Sequence, residues 1–364
     1  MKVSKVTCIV YRDISSSIRD ALAQAGIARY NIQSGRSAVL RERKRWLGLS
    51  STTVLEDDPV DVYRIYVQPR FADALLSVLI LKAGLAIAGR GTAFSEEVNL
   101  DGPAEAFVNR GTVRGSSDGV RIATDLAGIS CIVQRGQAGP IIRSILEAGS
   151  VPTVTFGEGM GVRDKLGLLR IAIPAEKEIV SAAVTRYDAE QIMNILIDVG
   201  RLEQPGKGFI YIFPIRKGIV NTKTMRGQRP QGASMEQIVA ALDALQGSAE
   251  WRKLEAEEKA RGKRKYLRDL VNFRLNMNDG KASDIVQAAM DVGAPGATIG
   301  RCRQSAEGSE AGIARETSDI IVGRPQLEQL EKTVGSAGLF SAEAAGLIET
   351  SAVSLACTYL GGSK

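Results

Sequence analysis

Two stretches decide how this chain folds: TCIVYRDISSSIRDALAQAG at 7–26 and SCIVQRGQAGPIIRSILEAG at 130–149. Both place Cys-Ile-Val the same distance ahead of an Ala-Gly. In between, apolar residues recur at helical spacing: Ile18, Ala21 and Leu22 in one, and Ile141, Ile142, Ile145 and Leu146 in the other. Gly26 and Gly149 stand where a helix end asks for a positive φ. A fainter third copy has a strand LVNFRLNM at 270–277 and a helix over 281–292, closed by Gly293. That helix turns Ile285, Val286, Ala289 and Met290 inward. Counting back from Gly293 puts Leu275 where the other copies carry Cys8 and Cys131.

Outward from these stretches, each copy continues alike. A β-branched strand follows the glycine, at 28–33, 151–156 and 296–301. A polar, Gly-rich or Arg-rich excursion comes next. Then come a second strand (60–68, 178–185, 317–323) and a second helix (71–84, 188–201, 325–336). A turn finally opens a last strand: Gly89-Arg90-Gly91 before 92–98, Gly206-Lys207-Gly208 before 209–215, and Gly346 before 347–353. The order β-α-β-β-α-β predicts an α+β fold of three tandem ferredoxin-like units. In each, two helices cover one face of an antiparallel sheet. The other face is expected to be apolar, so three such faces bury one another in a pseudo-trimer. The units span 1–98, 128–215 and 268–360, with linkers at 99–127 and 216–267. The second linker holds a helix beginning at Ser234, with Gln237 completing a capping box. Its charged end, 250–265, reads as a solvated helix or tether.

Composition narrows the chemistry. The 364 residues are 44% apolar and 24% charged, ordinary values for a folded globular chain. Lys+Arg number 47 against Asp+Glu 41, and a net charge of +6 does not by itself point to nucleic acid. Histidine is absent, which excludes histidine bases, Ser-His-Asp and Cys-His arrangements, and histidine-held zinc. The four cysteines are far apart, so no disulfide framework or metal cluster is expected, and reduced thiols in the cytoplasm fit best. The apolar run after Lys5 stops at Arg12, which argues against a secretory leader. The most apolar stretch, 74–81, ends at Lys82 and falls far short of the roughly 20 residues of a membrane span.

The middle copy carries a resemblance. GMGVRDK at 159–165 resembles the G-F-G-R-Q-K at the base of the T-loop in the PII nitrogen-regulatory superfamily. PGKGFIYIFPI at 205–215 resembles that family's B-loop and following strand, G-D-G-K-I-F-V-x-P-V. The resemblance implies a PII-like ring in one chain, with small ligands held in clefts between units. It implies an anion cradle from Gly159, Gly161, Arg163, Gly206, Lys207 and Gly208, with Gly89, Arg90 and Gly91 as its counterpart in the first copy. Adenine nucleotide is the implied ligand. Phe209 stands where the family has a lysine, and Val220 and Thr222 fall where it has two arginines. Two readings of the glycines stay open: an anion nest, or turns serving only the backbone. Arg301 and Arg303, on the third copy's second strand, face either a neighbouring cleft or the surface.

The excursion 34–58 has no clear periodicity and carries Arg41, Arg43, Lys44, Arg45 and Trp46. It is expected to project as a mobile loop and bind a partner, since Arg and Trp are favoured at hot spots. The functional expectation is a non-catalytic PII-like regulator. It would bind a small anionic effector between repeats and act through its loops on an enzyme or transporter. The alternative is a structural scaffold, a ring with degenerate ligand sites that assembles with itself or a larger complex. No constellation of acid, base and nucleophile suggests an enzyme. Nucleic-acid binding would rest only on 41–46 and the net charge, and membrane contact would come only through a partner.

Overall fold

Alternation along the first strand sets the layers. In β1 (Lys2–Tyr11), Val6, Cys8 and Val10 are fully buried beneath helices, while Lys5, Thr7 and Ile9 face the opposite side. The helices α1 (Ser15–Gln24) and α2 (Ala72–Ala83) supply Ile18, Leu22, Leu75, Leu76 and Leu79 to that core. The computed structural model describes residues 1–44, 51–87, 89–111, 113, 120, 122–161, 175–221, 243, 248, 264–306 and 309–359.

Pairing follows one scheme along the chain. β1 pairs antiparallel with β3 (Ser51–Val67) and β4 (Gly91–Asp101), and β2 (Asn31–Lys44) pairs with β3, giving the order β4-β1-β3-β2. After the short β5 (Val108–Asn109), the strands β6 (Leu126–Gln134), β7 (Thr153–Gly161), β8 (Glu176–Thr185) and β9 (Gly208–Pro214) line up as β9-β6-β8-β7. After β10 (Lys217–Ile219), β11 (Leu270–Asn278), β12 (Gly296–Ala306), β13 (Ser309–Gly323) and β14 (Leu347–Val353) line up as β14-β11-β13-β12. Helices α3 (Gly139–Glu147) and α4 (Ala189–Gly200) cover the second group, and α5 (Ala282–Asp291) and α6 (Leu327–Ser336) the third. The molecule is a mixed α/β structure with few helices and a single 15-stranded sheet completed by β15 (Leu355–Thr358).

The three groups join head to tail. The start of β2 pairs with the end of β12, at Asn31↔Gln304. The start of β7 pairs with β2, at Val154↔Arg36. The start of β12 pairs with the end of β7, at Thr298↔Gly159. Asn31, Val154 and Thr298 each lie five residues beyond the glycine closing the first helix of their group. The strand ends follow the same direction. β4 runs on to pair with β14, β10 pairs with β4, and β15 pairs with β9. Where β2, β7 and β12 meet there is no room for side chains. A Cβ on Gly35 would lie 2.9 Å from the Val154 carbonyl, and one on Gly157 would lie 2.7 Å from that of Ile299.

Three expectations need correction. The inner sheet faces are polar as well as apolar. Lys5 reaches Glu349 at 2.7 Å and Glu96 at 3.3 Å, and the Tyr66 hydroxyl donates to Glu349. Arg274 grips Asp319 through its Nε and Nη2 at 2.7 and 3.1 Å. These charges are tolerated because opposite partners satisfy each other away from water. Phe94, Phe213, Tyr211 and Phe209 supply the apolar part, in tilted ring contacts.

The excursion 34–58 is not an irregular loop: β2 continues to Lys44 and β3 begins at Ser51, so both strands form one long hairpin. The stretch 99–127 is more than a tether. β5 pairs parallel with β3, and Val113, Val120 and Ile122 pack against the core beneath α2. The helix expected from Ser234 and most of the charged stretch 250–265 lie outside the described residues.

Candidate functional site

The glycine turns before the last strands serve the backbone. Gly91 has φ +151 and Gly208 φ +145, and a Cβ on either would sit 2.3 Å from a carbonyl oxygen, of Ile9 and Ile132 respectively. Those isoleucines are the central residues of the two Cys-Ile-Val motifs. The repeated motif and the repeated glycine are therefore two halves of one backbone contact. Cys8 and Cys131 beside them are fully buried, and burial pushes the Cys8 thiol up to about 12, which makes it inert.

The turns are also closed by neighbouring chain. Gly89 donates its N–H to Asn221 Oδ1 at 2.9 Å. Asn221 in turn donates its own N–H to Thr92 Oγ1 and accepts from Val151 N. The cavity left there, bordered by Gly91, Thr92, Val151 and Asn221, measures about 10 Å³, about the least that holds one water. At the second turn, Gly206 O accepts from Gln134 Nε2, and Gly208 O accepts from Thr358 Oγ1, both at 3.0 Å. Lys207 N donates to Gln204 O.

The two halves of the expected middle cradle do not meet within their sheet. Gly159 and Gly161 lie in β7, where Gly161 pairs with Gly296 and Gly159 donates its N–H to Ala175 O at 2.6 Å. Gly208 stands opposite Val133, Val133 opposite Glu178, and Glu178 opposite Phe156. Three strand steps make roughly 14 Å. Arg163 lies outside the described residues. Arg41, Arg43 and Lys44 sit on β2 opposite Val54, Thr52 and Ser51, and Arg45 and Trp46 lie outside the described residues.

The large open space is elsewhere. A cleft of about 1440 Å³ lies where the hairpins of all three groups leave the sheet. Arg19, Arg135, Lys177, Arg301, Arg303 and Arg315 line it, with Asp61, Glu158, Glu176, Asp279 and Glu316. None of the glycine-turn residues lines it, whereas Arg301 and Arg303 do. Several of these charges are occupied. Arg135 pairs with Glu176 at 2.9 Å. Arg315 reaches Asn276, Asn278 and the Ala345 carbonyl, and burial lowers it to about 10. Burial also lowers Lys177. Arg301 is 75% exposed, with Asp279 at 3.8 Å. Among the described residues no cluster of His, Cys, Asp or Glu could hold a metal ion, and no helix is long and apolar enough to cross a membrane.

Comparing the copies at one more position would have revealed a further set. Asp61, Glu178 and Glu316 occupy one register, opposite Val10, Val133 and Met277. Each serves the start of its group's first helix. Ser15 Oγ donates to Asp61, Gly136 and Ala138 N donate to Glu178, and Ala282 N donates to Glu316. The residues just before these helices make no capping bond of their own. An acid at the helix N-terminus satisfies those donors and the dipole from a distant strand. Glu178 also holds Arg36 of the first group at 2.6 Å.

No family model matches the sequence, and no curated protein sequence matches it significantly. Among solved structures, the Arabidopsis thaliana PII protein bound to citrate is similar at 17% identity, over 29% of this chain and 97% of its own, with a TM-score of 0.21. Aspartate kinase from Synechocystis is similar at 11% identity, over 95% of this chain and 43% of its own, with a TM-score of 0.22.

Proposed function

We propose that the chain is a non-catalytic regulatory protein of PII-like build, three ferredoxin-like units closed into a pseudo-trimer, that binds a small anionic effector. The observation carrying this reading is the 1440 Å³ cleft with arginines from all three groups around it. Six cationic side chains against five acidic ones line the opening, a small positive excess that with the exposed Arg301 favours an anion such as a nucleotide or a small dicarboxylate. The hairpins that border the cleft would transmit occupancy to a partner enzyme or transporter.

A thermal-shift screen with adenine nucleotides, 2-oxoglutarate and bicarbonate tests it. A ligand at about 100 times its Kd adds about 2.7 kcal/mol to a protein that binds it only when folded. Arg301→Glu, at an exposed position, should leave the unliganded melting temperature unchanged and abolish the shift. If no anion stabilises the wild type, the reading fails. The closed glycine turns favour a second reading, a scaffold with degenerate sites. It requires self-association or a stable complex in light scattering.

A further inference from the structure

We infer that Phe107 and Asn109, in the stretch joining the first and second groups, are positioning residues for the large cleft. Within 104–109, Ala104, Phe107 and Val108 stand at helical spacing and are buried, and Asn109 beside them is buried too. Phe107 shares an apolar cluster with Val3 and Tyr66 of the first group and Leu347 of the third. The Arg315 guanidinium lies over its ring, with 5.0 Å between the guanidinium carbon and the ring centroid. Arg315 lines the cleft. Its Nε, Nη1 and Nη2 donate to Asn276, Asn278 and Ala345 O respectively. Among the described residues that leaves two of a guanidinium's five N–H groups for a ligand. The ring of Phe107 helps to fix the plane in which they lie.

Asn109 fixes another part of the wall. Its Oδ1 accepts from Ala28 N at 3.1 Å and Arg29 N at 3.0 Å, and its Nδ2 donates to Arg29 O at 2.6 Å and Tyr66 O at 3.2 Å. The carboxamide thus has all its hydrogen-bonding positions filled by main chain. Arg29 Nη1 reaches back to the same stretch, donating to Glu105 O at 2.9 Å and Val108 O at 3.3 Å. The chain held in this way is also bound to the third group. Tyr30 N donates to Ser305 Oγ at 2.9 Å, Ser305 N to Tyr30 O at 2.8 Å, and Ser305 Oγ to Ala28 O at 2.6 Å. Ala28, Tyr30 and Ser305 all line the cleft. One short stretch therefore supports the cleft wall at two places, through Arg315 and through Ala28 to Tyr30, and a site's geometry depends on such supporting contacts. That this placement sets a ligand's affinity rests on the cleft binding an anion.

Chemical modification and hydrogen exchange on the full chain test the placement without any ligand. Phe107→Leu keeps an apolar side chain and removes the ring. Phenylglyoxal should then modify Arg315 several-fold faster than in the wild type, while the exposed Arg301 and the buried, paired Arg274 keep their rates. Asn109→Ala should speed exchange of the Ala28, Arg29 and Ser305 amides about tenfold or more. Asn109→Asp, which keeps the acceptor, should restore protection at Ala28 and Arg29. The inference is overturned if Arg315 in Phe107→Leu reacts at the wild-type rate, or if Ala28 and Arg29 in Asn109→Ala exchange as in the wild type. It is equally overturned if Arg274 becomes reactive in either variant, because the stretch would then be a strut for the whole fold. ATP or 2-oxoglutarate, where it shifts the wild-type melting temperature, should bind Phe107→Leu and Asn109→Ala about tenfold more weakly, and equal affinity overturns the inference. If neither binds the wild type, the anion reading of the cleft fails, and the rates at Arg315 and Ala28 still decide the placement.

Discussion

Lys5 is 4% exposed and lies between two carboxylates that its position treats differently. For Glu349 burial pushes the carboxyl up, but Lys5, Arg274 and the bonds from Lys5 and Tyr66 outweigh it and hold the group below its ordinary value. For Glu96 burial wins over Lys5, and the group is raised. Glu349 therefore stabilises the fold above its unfolded pKa and stops doing so as pH falls through the lower folded one. Glu96 has the opposite sign: the folded state binds its proton more tightly, so its contribution improves as pH falls. Glu349→Gln should cost about 3–5 kcal/mol at pH 7, the range for breaking a buried pair. Glu96→Gln should cost far less and flatten the stability profile on its acid side. Urea titrations between pH 4 and 8 distinguish them, and equal losses would show that the two carboxylates share Lys5 evenly. Gly208 makes a second residue-scale case. Gly208→Ala meets the Ile132 carbonyl and a positive φ, so a loss of about 1–3 kcal/mol or more is expected. A Cβ on Gly161 meets nothing within 4 Å, and Gly161→Ala should be tolerated. Chemical denaturation of both variants checks the contrast.

At the scale of elements, helices and central strands were legible because each buries one face at its own period. α3 shows Ile141, Ile142, Ile145 and Leu146 buried, as its spacing predicts. The second strands were legible only in their first few residues. Beyond Ala38, β2 pairs with β3 as a two-stranded ribbon, and the ribbon needs no apolar alternation to hydrogen-bond its backbone. The role of the glycine turns was not legible for a related reason. Gly89, Gly206 and their neighbours show glycine freedom, but the sequence does not say whether that freedom serves a ligand or a carbonyl on the neighbouring strand. The cleft arginines come from all three groups, and their meeting depends on the head-to-tail pairing of β2, β7 and β12. One sequence signal pointed there: a glycine in the interior of each of these strands, Gly35, Gly157 and Gly300, which marks a close backbone approach. Gly157→Val should therefore push β7 off β12, since its Cβ already meets Ile299 O and Thr298 Cγ2 at 2.7 and 2.9 Å. Hydrogen exchange should show lost protection at Ala297–Ile299 with the cores beneath the helices retained. Unchanged exchange there would mean that the crossing yields without cost.

At the scale of the whole molecule, the contacts between groups form a cycle. In a linear array each repeat touches only its neighbours, terminal repeats differ from internal ones, and unfolding can begin at either end. Here each group gives a strand to one other group and receives one from the third: β4 to β14, β10 to β4, and β15 to β9. No group is terminal. The pair Lys5–Glu349 joins residues 344 positions apart and ties the first group to the third. Arg36–Glu178 ties the first to the second. Loss of one group would strip two others of paired strand edges and leave buried charges without partners, at several kcal/mol per ion. Partial unfolding is therefore expected to cost more than the remaining cores return. The prediction is one cooperative transition: far-UV circular dichroism and tyrosine absorbance should melt together, and the calorimetric and van't Hoff enthalpies should agree. Glu349→Gln, a change between the first and third groups, should lower that single melting temperature without splitting it. Two resolved transitions in the wild type would mean that the groups are independent domains and that the cyclic pairing adds little to their stability.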